Sequence, residues 1–197
     1  EYGGNIFDVI SSSYQLQDNL LHGNGRNYGF SLMLHKCTGD LTGWVSYTYT
    51  NARRKFKEMD PDSSFPATHE RPHELKAVLM YSPWKHWDFG ATAVYASGTP
   101  FTLPESIALI NGNILTQYGE YNSNRLRPYF RMDISVNYKW FSRRVKEHGI
   151  NLSLYNVSCM NNHLFWKIKI KDDMQFAYRP VSFVVRILPS ISYYCKF

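Results

Sequence analysis

The last seventeen residues of the chain read VSFVVRILPSISYYCKF. Their odd positions hold Val181, Phe183, Val185, Ile187, Pro189, Ile191, Tyr193, Cys195 and Phe197, while the even positions include Ser182, Arg186, Ser190, Ser192 and Lys196. A period of two belongs to a β-strand with one apolar and one wet face. At about 3.3 Å per residue a strand over 181–197 would reach about 55 Å, far beyond the usual length in a soluble sheet. The run therefore predicts a strand that crosses something thicker than a small core.

Composition points the same way. Aromatic residues make up 16% of the 197-residue chain, with fifteen Tyr, twelve Phe and five Trp, yet the mean hydropathy is −0.40. No run approaches the ~18 apolar residues of a membrane-spanning helix. An all-β chain whose strands alternate between a lipid face and a lumen face averages to such values, with its aromatics gathered at the two interfaces. The net charge of +6 would ordinarily raise nucleic acid as a partner. Here the densest basic groups, RRKFK at 53–57 and RRVKEH at 143–148, fall at expected strand ends, so no nucleic acid is expected. Cys37, Cys159 and Cys195 lack metal-type spacing.

The alternation recurs along the chain. Residues 1–24 read as a loop or partial strand. Tyr28, Phe30, Leu32 and Leu34 alternate with Gly29, Ser31, Met33 and His35, and the turn TGDLTG at 38–43 leads back through Val45, Tyr47 and Tyr49. A polar excursion over 55–72 precedes a strand from His73, the brief turn SPWKHW at 82–87 and a return strand through Phe89, Ala91, Ala93 and Tyr95. After a long loop at 99–126, PYFRMDISVNYKW alternates cleanly over 128–140, and a modest turn leads to INLSLYNV. A loop region at about 158–175, partly extended at LFWKIKIK, precedes the final strand. Seven strands, or eight, are expected. Short turns at 38–43, 82–87 and 140–149 alternate with long loops at 55–72, 99–126 and 158–175, the rhythm of outer-membrane barrels with short periplasmic turns and longer external loops. A soluble β-sandwich also alternates, but with strands of about five or six residues.

Phe197, in phase with the apolar face and preceded by aromatic or apolar residues at alternate positions, resembles the assembly signal of bacterial outer-membrane barrels. More specific is the order of several stretches: Lys36 to Thr50 (KCTGDLTGWVSYTYT), FPATHERPHEL at 65–75, WDFGATAVYASGTPFTLP at 87–104, RPYFRMDISVNY and LPSISYYCKF. Together they resemble the C-terminal barrel strands of TonB-dependent receptors, in particular the Bacteroidetes type that begins with a carboxypeptidase-like regulatory domain. The resemblance covers Gly25 to Phe197. It implies the C-terminal part, 25–197, of an antiparallel transmembrane β-barrel of about twenty-two strands closed around a plug, and import of a bulky nutrient such as a glycan, peptide or metal chelate. Implied partners are the rest of the barrel and plug, in the same protein or another chain, the TonB complex through an N-terminal part, outer-membrane lipid and lipopolysaccharide, a surface lipoprotein, and the barrel assembly machinery. Glu1 in place of Met, with no signal peptide, leads to the expectation of a mature protein or a fragment. A complete eight-stranded barrel serving as adhesin or anchor is the alternative.

The wet-face residues Arg71, Glu74, Lys76, Arg131, Asp133, Asn137 and Arg186 are expected to face the lumen. Tyr47, Tyr49, Trp87, Tyr95, Phe130, Ile134, Tyr138, Phe183, Val185 and Tyr193 are expected toward lipid or in interfacial girdles. His69 and His73 flank HERPH, but Pro66 and Pro72 argue against a helix that would bring them together. A cluster of Glu70, Arg71 and His73 is expected there, rather than a metal site. No nucleophile elbow, phosphate loop or paired acidic motif is present, and neither catalysis nor a cofactor is expected.

Overall fold

The computed structural model describes residues 22–56, 63–110, 113–143, 146–170, 176–182 and 186–197. Strands are the regular elements throughout these residues: β1 (Gly23–Lys36), β2 (Leu41–Phe56), β3 (Phe65–Pro66), β4 (His73–Trp84), β5 (Trp87–Ala96), β6 (Pro100–Phe101), β7 (Pro104–Ile110), β8 (Asn113–Tyr118), β9 (Asn124–Arg125), β10 (Tyr129–Trp140), β11 (Glu147–Tyr155), β12 (His163–Ile170), β13 (Phe176–Ser182) and β14 (Leu188–Lys196). Seven of them form one antiparallel sheet in the order β1-β2-β4-β5-β10-β11-β14, with β3 added beside β2. The path is open. Strands β1 and β14 lie at its ends, and no pairing joins them among the described residues.

Strands β1 and β2, and β4 and β5, pair because the hairpin turns that join them are too short to let them part. Only Lys85 and His86 separate β4 from β5, and Cys37–Asp40 separate β1 from β2. Gly39 takes a positive φ of 91° in the latter turn, as tight turns demand. Gly43 is more constrained: its φ is 145°, and a Cβ there would stand 2.1 Å from the carbonyl oxygen of Val78 on β4. Gly43→Ala should therefore destabilise the β1–β2–β4 corner by about 2 kcal/mol, read as a drop in denaturant midpoint with unchanged slope.

The register places directly opposed residues on one side of the sheet. Leu34↔Val45, Val45↔Ala77, Ala77↔Ala93, Ala93↔Met132, Ile134↔Leu154 and Leu152↔Ile191 join the apolar positions of all seven strands into one continuous face. The opposite face holds Thr48, Glu74, Lys76, Asp88, Thr92, Arg131, Asp133, Asn137, Asn151, Ser153 and Ser192. Strict alternation in every strand makes this division unavoidable once the register is set.

The apolar face carries no second layer among the described residues. Leu32, Leu152 and Ile191 remain 64%, 53% and 73% exposed. The buried apolar side chains of the main sheet, among the described residues, are Ala52 and Ala96, and both are in phase with the polar face, Ala96 opposite Glu74 and Ala52 four residues on from Thr48.

Two expectations need correction. The run 181–197 is not one strand. Val181 and Ser182 end β13, which pairs with β12 in a separate two-stranded ribbon, and β14 begins at Leu188; Phe183 and Val185 lie outside the described residues. Alternation gives the same signal on both sides of such a break, because a period of two carries no information about the pairing partner. The region 99–126 is likewise more ordered than a loop. It contains the β7–β8 ribbon and the β6–β9 pair, while β12 falls on LFWKIKIK, where an extended stretch was expected. The basic stretch Arg53–Phe56 stands at the end of β2, as expected, paired with β1 from Gly23↔Phe56.

Candidate functional site

The two faces of the sheet are chemically distinct sites. On the apolar face, rings collect in two rows. At the short-turn end Trp87 stacks 6.3 Å from Phe89 and meets Tyr138 at 4.8 Å; Tyr138 lies 6.0 Å from Trp140, and Trp140 contacts His148 at 5.3 Å and Tyr193 at 6.2 Å. The row thus runs across β5, β10, β11 and β14. At the opposite end Phe30 lies 5.8 Å from Tyr49, which lies 5.5 Å from His73. Tyr47 Oη stands 2.8 Å from His73 Nδ1, and Tyr95 opposes Phe130. Between the rows the face is aliphatic: Ala77, Leu79, Ala91, Ala93, Ile134, Val136, Leu152 and Ile191. Along β10 the rows, at Phe130 and Tyr138, are eight residues apart, about 26 Å of strand.

The polar face is cross-linked. Asp88 accepts hydrogen bonds from Ser82 Oγ at 2.9 Å and Asn137 Nδ2 at 3.1 Å, and its carboxylate pairs with Lys139 at 2.8 Å. Asn137 also donates to Tyr194 Oη at 3.2 Å; Tyr194 donates to Glu147 at 3.0 Å, and Lys196 pairs with the same carboxylate at 2.9 Å. This chain of bonds spans β4, β5, β10, β14 and β11. Nearer the other end Arg131 pairs with Asp133 at 3.1 Å and lies over the Tyr155 ring at 4.8 Å, while Asp133 accepts from the Asn156 amide at 2.8 Å. Glu74 and Lys76 pair at 2.8 Å. The networks border a 710 Å³ cleft along the polar face. Its charges are held by partners on the same strand or on neighbouring ones, which suits a surface that stays wet or meets another polar surface.

Comparison with family models, curated proteins and solved structures finds no match. Function must therefore be read from the geometry.

The register brings the sequence candidates together by face. Tyr47, Tyr49, Tyr95, Phe130, Ile134, Tyr138 and Tyr193 share the apolar side, and Trp87 joins it opposite Tyr138. Glu74, Lys76, Arg131, Asp133 and Asn137 share the other. Arg71 and Arg186 lie outside the strands, just before β4 and β14. Phe197 follows β14 and is exposed.

The expected Glu70, Arg71 and His73 cluster is not formed. Glu70 is 3% exposed, accepts from the Ala52 amide at 2.9 Å and pairs with Arg125. His73 turns to Tyr47 instead. Arg125 comes from beyond a fifty-residue separation, which no local pattern could indicate. Asp88 and Lys139, each beside a short turn, carried a fainter signal: charged residues in phase with the wet face. Among the described residues no group of three His, Cys, Asp or Glu is placed to hold a metal.

Proposed function

We propose that this chain is part of a bacterial outer-membrane transporter of the TonB-dependent type, supplying C-terminal barrel strands that hold a polar lumen on one side and lipid on the other. The observation that supports this reading is the single-layered sheet whose uncovered face places an aliphatic band between two aromatic rows. Water is a poor neighbour for that face, at about 25 cal/mol per Å² of apolar area, and hydrocarbon is a good one. The crosslinked polar face then borders the lumen, where charged pairs would stand against water or a plug.

The open path favours a larger barrel over a complete eight-stranded adhesin or anchor. In hydrocarbon, unpaired edges on β1 and β14 would each leave a row of backbone groups unsatisfied, at several kcal/mol per group. Further strands must pair with both edges. Import of a bulky nutrient is the activity that the resemblance of the strand motifs supports.

Orientation and membrane insertion are tested together by single cysteines at Ser64, in the long connection after β2, and Lys85, in the β4–β5 turn. With a membrane-impermeant reagent on intact cells, Ser64→Cys should be labelled and Lys85→Cys protected until the outer membrane is opened. Labelling of Lys85→Cys alone would reverse the assigned ends, and recovery of the protein from the soluble fraction would remove the membrane reading.

A further inference from the structure

Beyond the long-connection end of β4, β5 and β10 lies a small cleft of 210 Å³ lined by Arg71, Arg127 and His163, together with Tyr129 and the 97–99 backbone. No acidic residue lines it. Among the described residues Arg71 and Arg127 have no ion pair or hydrogen-bond partner. On the sheet, by contrast, Lys76, Arg131, Lys139 and Lys196 each have a carboxylate within 3.1 Å. The buried Nδ1 of His163 also lacks a partner.

The three cationic or donor residues come from distant segments, and each segment is pinned. Ser97 donates its amide to the His73 carbonyl at 2.8 Å, and the His73 amide donates to Ser97 Oγ at 3.2 Å, holding 71–73 beside the cleft. The Leu126 amide donates to the Thr99 carbonyl at 2.9 Å. Gly98 permits that approach, because a Cβ there would overlap the Leu126 carbonyl. Asn162 accepts from the Phe130 amide at 3.0 Å and donates to its carbonyl at 2.9 Å, fixing the start of β12 beside β10. Arg71 and Arg127 are exposed lining residues of this frame, and the fork of a guanidinium matches the oxygen spacing of phosphate or sulfate.

We propose that this cleft is an oxyanion-binding site, taking a phosphate or sulfate group, free or as an ester, between Arg71 and Arg127 with His163 as a further donor. At 210 Å³ it is smaller than the ~300–1,000 Å³ of whole-ligand pockets, so it holds the charged group while the rest of the molecule stays outside. The site does not depend on what covers the apolar face.

The test is phosphorus NMR on the intact protein in detergent at constant ionic strength, with inorganic phosphate, glucose 6-phosphate and glycerol 3-phosphate as separate probes for a free anion, a sugar ester and a lipid-headgroup ester. At least one probe should show saturable line broadening, with a dissociation constant on the order of 1 mM, reversed by sulfate and not by chloride. The tightest of the three identifies the source. Arg71→Gln and Arg127→Gln should each weaken binding about tenfold; Arg71→Lys, which retains charge but loses the fork, should weaken it less. Absence of saturable broadening with all three probes in the unaltered protein overturns the proposal without recourse to a variant. So does unchanged binding in the Arg71→Gln/Arg127→Gln double variant.

Discussion

In the proposed membrane setting Leu152→Arg is expected to destabilise the protein by about 2–4 kcal/mol, while Ser153→Arg one residue away should cost less than about 1 kcal/mol. Leu152 sits mid-strand on β11, opposite Val136 on one side and Ile191 on the other, and is 53% exposed. In the proposed setting its neighbour is hydrocarbon, where a guanidinium loses its hydration. Ser153 opposes Ser135 and Ser190 and borders the polar cleft, so an arginine there stays hydrated. Denaturant unfolding from lipid bilayers measures both. The pair is informative because the two substitutions share strand, depth and chemistry and differ only in face. If Leu152→Arg left stability unchanged, or cost less than Ser153→Arg, lipid would not be what touches this face.

Glu70→Ala should cost about 3 kcal/mol, the scale of breaking a buried ion pair from one side. Glu70 closes two contacts at once: its carboxylate receives the Ala52 amide at the top of β2 and the Arg125 guanidinium from β9. Arg125 in turn donates to the Gly98 carbonyl at 3.2 Å. Removing Glu70 leaves a buried amide without its acceptor and a guanidinium without its counter-charge. The loss should appear locally, as faster hydrogen exchange at Ala52 and across β3 and β9. A double-mutant cycle with Arg125→Ala should return a coupling above about 1 kcal/mol. A change below 0.5 kcal/mol for Glu70→Ala would mean that the buckle does not hold these segments together.

The strands were largely legible because apolar or aromatic residues recur at every second position over Tyr28–Leu34, Val45–Tyr49 and Phe130–Tyr138. That periodicity assigned Ile134 and Leu152 to one face and Asp133 and Ser153 to the other before any pairing was known. Legibility failed where the signal is not local. Val181 and Ile191 belong to the same alternating run, yet they lie in different sheets, since a strand's side-chain period is the same whichever neighbour it pairs with. The β7–β8 ribbon is a different case, because its signal is local: Asn111 and Gly112, the dipeptide of tight hairpins, separate the apolar residues Ile107–Ile110 from Ile114 and Leu115.

Sequence alone determined that these strands have two chemically opposed faces, because successive side chains of an extended chain must point to opposite sides. Only the tertiary structure decided which residues meet across strands: the aromatic rows, the Asp88–Lys139 and Glu147–Lys196 links, the Glu70–Arg125 buckle and the cleft of Arg71, Arg127 and His163. Those meetings depend on register and on backbone clamps such as Asn162 with Phe130. Both are set by interactions between residues far apart in the chain, which no stretch of sequence records by itself.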